Sequence, residues 1–164
     1  MKALFQRRII APLSALLRQG ITPRKIALSL ACGVVVGVFP VMGSTTLLCA
    51  AAALLFRLNL PAVQIVNYFI YPLQLALILP FIRLGETLLR VDRTGLSLSQ
   101  MVAIFRLDHH AGIHILWRLA LHGIFAWTLV APFFFLGVYR IFLPMTTRMA
   151  QTLARRREAA VVMP

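Results

Sequence analysis

The sequence predicts an all-α integral membrane protein that contains a broken or re-entrant helical hairpin, two transmembrane helices and an N-terminal amphipathic surface helix. Its composition supports this class, because 60% of the 164 residues are hydrophobic and only 13% are charged, about half the charged fraction usual in soluble domains. Three apolar runs define the membrane elements. The first covers residues 26–56, the second 60–82 and the third 119–139.

Residues 1–25 predict a basic amphipathic helix that lies on the membrane surface. Apolar side chains recur there at helical spacing, while basic residues fill the positions between them and Pro12 divides the segment. A packed cytosolic arm is the alternative for this segment. Thr22 and Pro23 are suited to cap and open the helix that follows.

The first apolar run predicts a hairpin because its centre is interrupted. Residues 26–56 carry no charged side chain, but Pro40 and Gly43 divide them into arms of 14 and 13 residues. Each arm reaches roughly 20 Å at 1.5 Å per residue, which is too short for a hydrocarbon layer of about 30 Å. We therefore expect a re-entrant hairpin, with two short spans as the alternative.

Small residues in this hairpin predict close helix packing. Gly33 and Gly37 form a Gly-x-x-x-Gly pair, which lets another helix approach closely. The alanines at 50–53 in the second arm supply a similar surface, so the two arms are expected to pack on one another. Chance spacing within an apolar run is the alternative.

The break between the arms is the predicted binding site. Ser44, Thr45 and Thr46 are placed to cap the second arm, whose amides and positive dipole end attract anions. With Pro40 and Gly43 they form an interrupted helix of the kind that marks substrate sites in transporters. The alternative is that the hydroxyl groups only cap the turn.

Three residues after the hairpin extend this candidate site. Arg57 is placed to contact an anionic headgroup or phosphate, or else to anchor the chain at the interface and set its topology. Asn59 is suited to cap the following helix. Asn67 lies seven residues before Gln74 on one helix face, which predicts polar contacts with the break or between helices.

A polar stripe precedes and enters the third apolar run. His110, His114, Arg118 and His122 recur every four residues. Two histidines at this spacing can bind zinc, but Arg118 repels a cation and no His-Glu-x-x-His pattern is present. We therefore expect no metal and no other cofactor, and interpret the stripe as an interfacial anchor in which His122 contacts a polar group inside the bundle.

The remaining chemistry does not favour an enzyme. The chain has no carboxylate pair in an apolar run, no phosphate-binding glycine loop and no convincing nucleophile with a base. Cys32 and Cys49 lie far from any metal-binding spacing and are expected to be buried, reduced thiols.

The basic residues predict the topology. A net charge of +13 would suggest a nucleic-acid partner in a soluble protein, but here the basic residues flank the apolar runs. Lys and Arg concentrate in residues 1–25, at Arg57 and in the tail at 144–164, and such residues favour the cytoplasmic side. Both termini are thus predicted to be cytoplasmic, the membrane domain to cover 26–143, and the mixed-charge segment 83–118 to be external.

Several short motifs follow one another in a specific order. They are Thr22-Pro23-Arg24-Lys25-Ile26-Ala27, then Gly33-x-x-x-Gly37-x-Phe39-Pro40-x-x-Gly43-x-x-Thr46, then Arg57-Leu58-Asn59-Leu60-Pro61, and then Asn67. Over roughly residues 20 to 140 the chain resembles the bacterial membrane family known as domain of unknown function 2062. The resemblance implies a bacterial integral membrane protein, which we place in the inner membrane. Tyr68 follows Asn67, where the family usually has a proline.

Three classes of function fit these features. The first is transport or flipping of an anionic lipid or small anion through the broken hairpin. The second is a non-catalytic scaffold that binds other membrane proteins through the glycine face, and the third is an accessory subunit acting on lipid-linked substrates. Anionic membrane lipids are the expected partners, together with a second copy of the chain or another membrane protein.

Overall fold

The computed structural model describes residues 22–91 and 109–162, with side chains of the second range described from 113 to 155. Within these ranges the chain forms helices and no strand, which confirms the predicted all-α class. The helices are α1 (Pro23–Gly37), α2 (Thr45–Leu55), α3 (Leu60–Leu88) and α4 (His109–Val162). The predicted surface helix of residues 1–25 lies almost entirely outside the described residues.

The break between α1 and α2 follows from two residues. Pro40 disfavours helical backbone at the residue before it, and α1 ends at Gly37. Gly43 has a φ of +81°, a left-handed conformation that suits glycine and turns the chain into α2. The arms of 15 and 11 residues are about 22 and 16 Å long at 1.5 Å per residue. By contrast, the 29 residues of α3 extend about 43 Å.

Helices α1 and α3 run parallel and lie in close contact. A Cβ atom at Gly33 would lie 2.7 Å from the Val63 carbonyl oxygen, and one at Gly37 would lie 2.5 Å from Cγ2 of Ile70. The contact points on both helices therefore advance in the same direction. The two arms of the hairpin do pack on one another, as predicted, with Val36 against Cys49 and Ala53. The glycine pair does not make this contact, because α3 occupies that face.

Helix α4 runs antiparallel to α1. The Thr146 hydroxyl donates to the Pro23 carbonyl oxygen at 3.0 Å, at the start of α1. The Trp127 indole N–H donates to the Val35 carbonyl oxygen at 3.1 Å, near the end of α1. These two bonds fix the position of α4 along the axis of α1.

The third close approach joins α3 to α4. A Cβ atom at Gly85 would collide with the backbone of His122, so the two helices touch through their main chains. On the next residue of α4, a Cβ at Gly123 would lie 3.2 Å from Cβ of Pro40. Pro40 of the hairpin break is therefore packed against α4, close to its contact with α3, whereas Met42 and Gly43 are exposed.

Small apolar clusters complete the core. Ile26 and Leu30 pack at the start of α1 with partly buried side chains of α3 and α4. Phe81 and Ala126 pack with Val38 beside the break. Cys49 of α2 packs against Val63 of α3, and both Cys49 and Cys32 are buried and free, as expected.

Two helices are long and apolar enough to cross a membrane. They are Leu60–Leu88 and the part of α4 from Ile113 to Arg155, judged by length and hydropathy alone. Only 11% of the apolar window in each helix is buried within the fold. The core helix of a soluble protein would be mostly buried, so these two helices turn most of their apolar surface outward.

Substituting Gly43 with valine is expected to destabilise the fold through the backbone alone. No atom lies within 4 Å of the position that its Cβ would occupy, so the cost, about 1 to 3 kcal/mol, arises from the left-handed φ. The midpoint of thermal unfolding of purified protein measures the effect. Gly43→Asn should be milder, because asparagine tolerates this conformation; equal losses for both variants would contradict the explanation.

Alanine at Gly33 and alanine at Gly137 are expected to have opposite effects. The added methyl at Gly33 would press on the backbone of α3, costing about 1 to 3 kcal/mol. At Gly137, no atom lies within 4 Å of the new methyl, so Gly137→Ala should raise helix stability by about 0.5 to 1 kcal/mol. Thermal unfolding of the two variants in the same detergent tests this sign difference, and a stabilised Gly33→Ala protein would contradict the packing.

Candidate functional site

At the break, a carbonyl group released by α1 is bonded by a side chain of α4. The Phe39 N–H donates to the Val36 carbonyl at 3.1 Å instead of to the Val35 carbonyl four residues back. The freed Val35 carbonyl accepts the indole N–H of Trp127. The Trp127 ring also meets Phe39 edge to face, with ring centroids 5.0 Å apart. Trp127 thus holds the end of α1 by one hydrogen bond and one aromatic contact.

The next carbonyl groups of the break are bonded by Gln74 of α3. Its side-chain nitrogen donates to the Phe39 carbonyl oxygen at 2.9 Å and lies 3.5 Å from that of Val41. Gln74 is completely buried, and its Oε1 atom has no hydrogen-bond partner in the described part of the chain. This residue lies midway along α3, so the hairpin tip is level with the middle of α3. The predicted polar contact with the break is confirmed for Gln74.

The predicted capping of α2 by hydroxyl groups is wrong. Ser44 precedes the first turn in an α-helical conformation, with φ −83° and ψ −22°, whereas a capping residue usually has extended backbone. Its hydroxyl therefore turns back and donates to the Val41 carbonyl at 2.9 Å. Thr45 is buried and Thr46 exposed. No side chain of the described residues caps α2.

Asn67 reaches the break only indirectly. Its side chain is buried against Gly37, and its nitrogen donates to Oε1 of Gln64 at 3.3 Å. Gln64 in turn donates to the Thr46 carbonyl at 2.9 Å. The polar face of α3 therefore ties down both arms of the hairpin, which accords with the interpretation of these side chains as contacts between helices.

The turn between α2 and α3 positions Arg57. Its φ of 51° is left-handed, and its N–H bonds the Leu54 carbonyl while the Leu58 N–H bonds that of Ala53. This pattern is a Schellman motif, in which glycine is the usual residue. Arg57 is exposed, so its guanidinium group extends from a fixed turn.

Asn59 begins α3, as predicted. Its side-chain oxygen accepts the Ala62 N–H at 2.9 Å, which is the bond expected of a helix cap. Its own N–H donates to the Ser29 hydroxyl at 2.9 Å. The cap is therefore also a tie between the start of α3 and the side of α1.

An apolar cleft opens beside this turn. Its volume is about 520 Å³, within the range typical of ligand pockets. Phe56 and Leu58, the two neighbours of Arg57, both line it. From the turn, the cleft runs along α1 toward the hairpin break, on the face of α1 opposite α3. Phe135 of α4 forms its boundary. Its other main walls are Leu28, Cys32 and Val36.

Basic residues collect at the same end of the fold. The bond between Thr146 and Pro23 brings the start of α1 next to the C-terminal half of α4. Arg24 follows Pro23, and Arg148 lies two residues after Thr146; both are exposed. Because the Asn59 tie joins α3 to the first half of α1, Arg57 lies at the same end as Arg24 and Arg148, and we call this end the basic surface.

The polar stripe on α4 lies at the opposite end. His114 and Arg118 are exposed and His122 is half-buried, whereas the side chain of His110 lies outside the described residues. The Nδ1 atom of His122 is buried without a hydrogen-bond partner. Among the described residues, no three His, Cys, Asp or Glu side chains are grouped so that they could hold a metal.

Sequence reasoning missed two residues that shape the site. Trp127 was not singled out, although an indole N–H inside an apolar run needs an acceptor and is therefore a usable signal. Glu86 was counted only as a charge of the external segment, yet it is buried on α3, 4% exposed. It follows Gly85, where α3 touches α4.

The fold and the cleft define a small all-helical protein with an apolar groove beside a basic turn. The family described as an uncharacterized protein conserved in bacteria, domain of unknown function 2062, matches residues 6–156. The match covers most of the chain, so the chain belongs to this family, which confirms the resemblance found in its motifs. Neither the curated proteins nor the solved structures gave a match.

Replacing Trp127 with phenylalanine is expected to lower the free energy of unfolding by about 1 to 3 kcal/mol, because the Val35 carbonyl loses its donor in a buried setting. The ring contact with Phe39 is largely kept. Trp117→Phe is the matched control, since Trp117 is 60% exposed and should change stability little. Thermal unfolding of both variants tests this, and equal midpoints would contradict the role of Trp127.

Proposed function

We propose that this protein is an integral protein of the bacterial inner membrane that binds an anionic lipid and moves it across the bilayer. The acyl chain lies in the cleft between the hairpin and α4, and the headgroup contacts Arg57. The observation that carries the proposal is the position of Arg57, between two residues that line an apolar cleft. An apolar tail joined to an anion matches both parts of this site.

The membrane setting is supported by the outward apolar surfaces of α3 and α4 and by the way the break is built. Backbone outside a helix is tolerated at membrane depth only where protein or a water-filled cavity satisfies it. Trp127 and Gln74 supply such bonds here. Since the hairpin tip is level with the middle of α3, a bilayer spanned by α3 contains the hairpin as a re-entrant element.

The orientation is supported by the basic surface at one end. Arg57, Arg24 and Arg148 are exposed there, and basic residues favour the cytoplasmic side of a membrane. That end is therefore cytoplasmic, and both termini lie on the same side. The lipid enters the cleft from the cytoplasmic leaflet, whose anionic lipids attract basic residues.

A lipid fits the site better than a small anion does. At the break, the polar atoms beside α3 are the carbonyl oxygens of Phe39 and Val41 and the buried Oε1 atom of Gln74. All three are hydrogen-bond acceptors, which repel an anion. Arg57 instead offers a planar group of five N–H donors that matches a phosphate. Anion binding thus belongs to the turn, and the break provides polar groups halfway across the bilayer.

The cleft also gives the lipid a direction of movement. It extends from Phe56 at the basic end to Val35, whose carbonyl is held by Trp127 beside the break. A lipid tail in the cleft therefore reaches the middle of the bilayer while its headgroup remains at the turn. Transfer of the headgroup past the break completes the flip.

A scaffold or accessory subunit remains the alternative function. The glycine pair assigned to partner binding is covered by α3, so a partner would need another surface, such as the exposed Phe133 and Leu136 on α4. This alternative requires no specific lipid. Lipid binding by variants of the turn therefore separates the two functions.

Arg57→Gly is expected to weaken binding of an anionic lipid roughly tenfold, a loss of about 1.4 kcal/mol, without destabilising the fold. Glycine suits the left-handed turn better than arginine, so the thermal midpoint should stay constant or rise. The measurement is native mass spectrometry of purified protein titrated with phosphatidylglycerol, with phosphatidylcholine as the neutral lipid.

Arg90→Gly is the matched control. Arg90 has a φ of 53° in the same type of turn, at the end of α3, but neither of its neighbours, Leu89 and Val91, lines the cleft. It should keep wild-type binding of phosphatidylglycerol. Wild-type binding by Arg57→Gly would overturn the lipid site, and equal transfer of a fluorescent anionic lipid in vesicles with and without the protein would overturn flipping.

A further inference from the structure

We infer that water reaches the hairpin break from the end opposite Arg57, along the polar stripe of α4. The stripe consists of His114, Arg118 and His122, and it leads from exposed positions to a half-buried one. Successive members turn by only about 40° around the helix, because four residues exceed one turn of 3.6. They therefore form one polar line along the first part of α4.

The inner end of the stripe carries a buried polar atom that needs a partner. Nδ1 of His122 is inaccessible and has no hydrogen-bond partner within the described residues. Buried polar atoms in folded proteins are nearly always bonded, either by protein or by ordered water. Since the described protein groups offer no partner, a water molecule is the simplest one.

A second such atom lies at the break itself. Gln74 is fully buried, and its Oε1 has no partner although its nitrogen is bonded to the break. Both residues lie near Pro40 in the fold, on different helices. Gln74 contacts the carbonyls on both sides of Pro40, and Gly123, the neighbour of His122, packs directly on the Pro40 ring.

The chemistry along this line selects a neutral ligand. Arg118 lies at the entrance and repels cations. Gln74 Oε1 and the Phe39 carbonyl lie at the inner end and repel anions, because they are acceptors. Water both donates and accepts hydrogen bonds, and a buried water usually has two to four polar partners.

A hydrated break accords with the rule for irregular backbone in membranes. Such backbone is tolerated where it lines a water-filled cavity. The inference concerns the face of the break toward the start of α4 and does not depend on a lipid in the cleft near Arg57. An experiment can therefore contradict the water path without contradicting the lipid site, and the reverse also holds.

Cysteine labelling in lipid nanodiscs tests the inference. In a background with Cys32→Ala and Cys49→Ala, we compare His122→Cys with Leu121→Cys, using a charged, membrane-impermeant thiol reagent. Leu121 is at the same depth and 45% exposed, but it lies on the apolar side of α4. His122→Cys should react about tenfold faster or more, because only water carries the reagent to it.

Arg118→Cys, at an exposed position of the stripe, shows that the reagent is active. Equal labelling rates at positions 121 and 122 would overturn the inference. They would mean that all sides of α4 at this depth are in water, or that none is. Hydroxyl-radical footprinting of the unmodified protein covers the case in which a variant does not fold. Oxidation of His122 together with protection of Leu121 and Phe125 supports the water path, and protection of His122 overturns it.

Discussion

The architecture depends on satisfying the carbonyl groups that the broken hairpin exposes. Once α1 stops before Pro40, the carbonyls of Val35 and Phe39 lose their helical donors, and leaving them bare in an apolar setting costs free energy. Trp127 of α4 and Gln74 of α3 bond them instead. These bonds come from opposite sides of the break, so they fix the positions of both long helices relative to the hairpin.

The two faces of α1 explain why a cleft accompanies this arrangement. Gly33 and Gly37 let the α3 backbone approach along one face, so that the helices nearly touch. On the other face, Cys32 and Val36 line the cleft together with Phe56 and Leu58. Close packing on the glycine side thus draws α3 away from the cleft side. The cleft is a consequence of which helix the glycines select.

Local signals predicted the local features, whereas partner choice could not be read from the sequence. The Asn59 cap and the left-handed Gly43 follow from side-chain chemistry and backbone freedom within a few residues. The Gly-x-x-x-Gly spacing predicts a close helix contact but does not indicate which helix makes it. The bond from Trp127 to Val35 joins residues 92 positions apart, and only the assembled fold brings them together. The proposed lipid site lies at the Arg57 turn rather than at the break for the same reason.

Arg57 and Arg90 separate backbone strain from function. They are the only non-glycine residues with positive φ in the described part of the chain, and both occupy the position of a Schellman turn where glycine is the usual residue. If strain alone marked a site, the two would be equivalent. The neighbours of Arg57 line the apolar cleft described above, whereas those of Arg90 do not; the turn of Arg57 also lies at the same end of the fold as Arg24. What distinguishes Arg57 is therefore the pairing of a fixed cation with an apolar groove, which is the arrangement that an amphipathic anion requires.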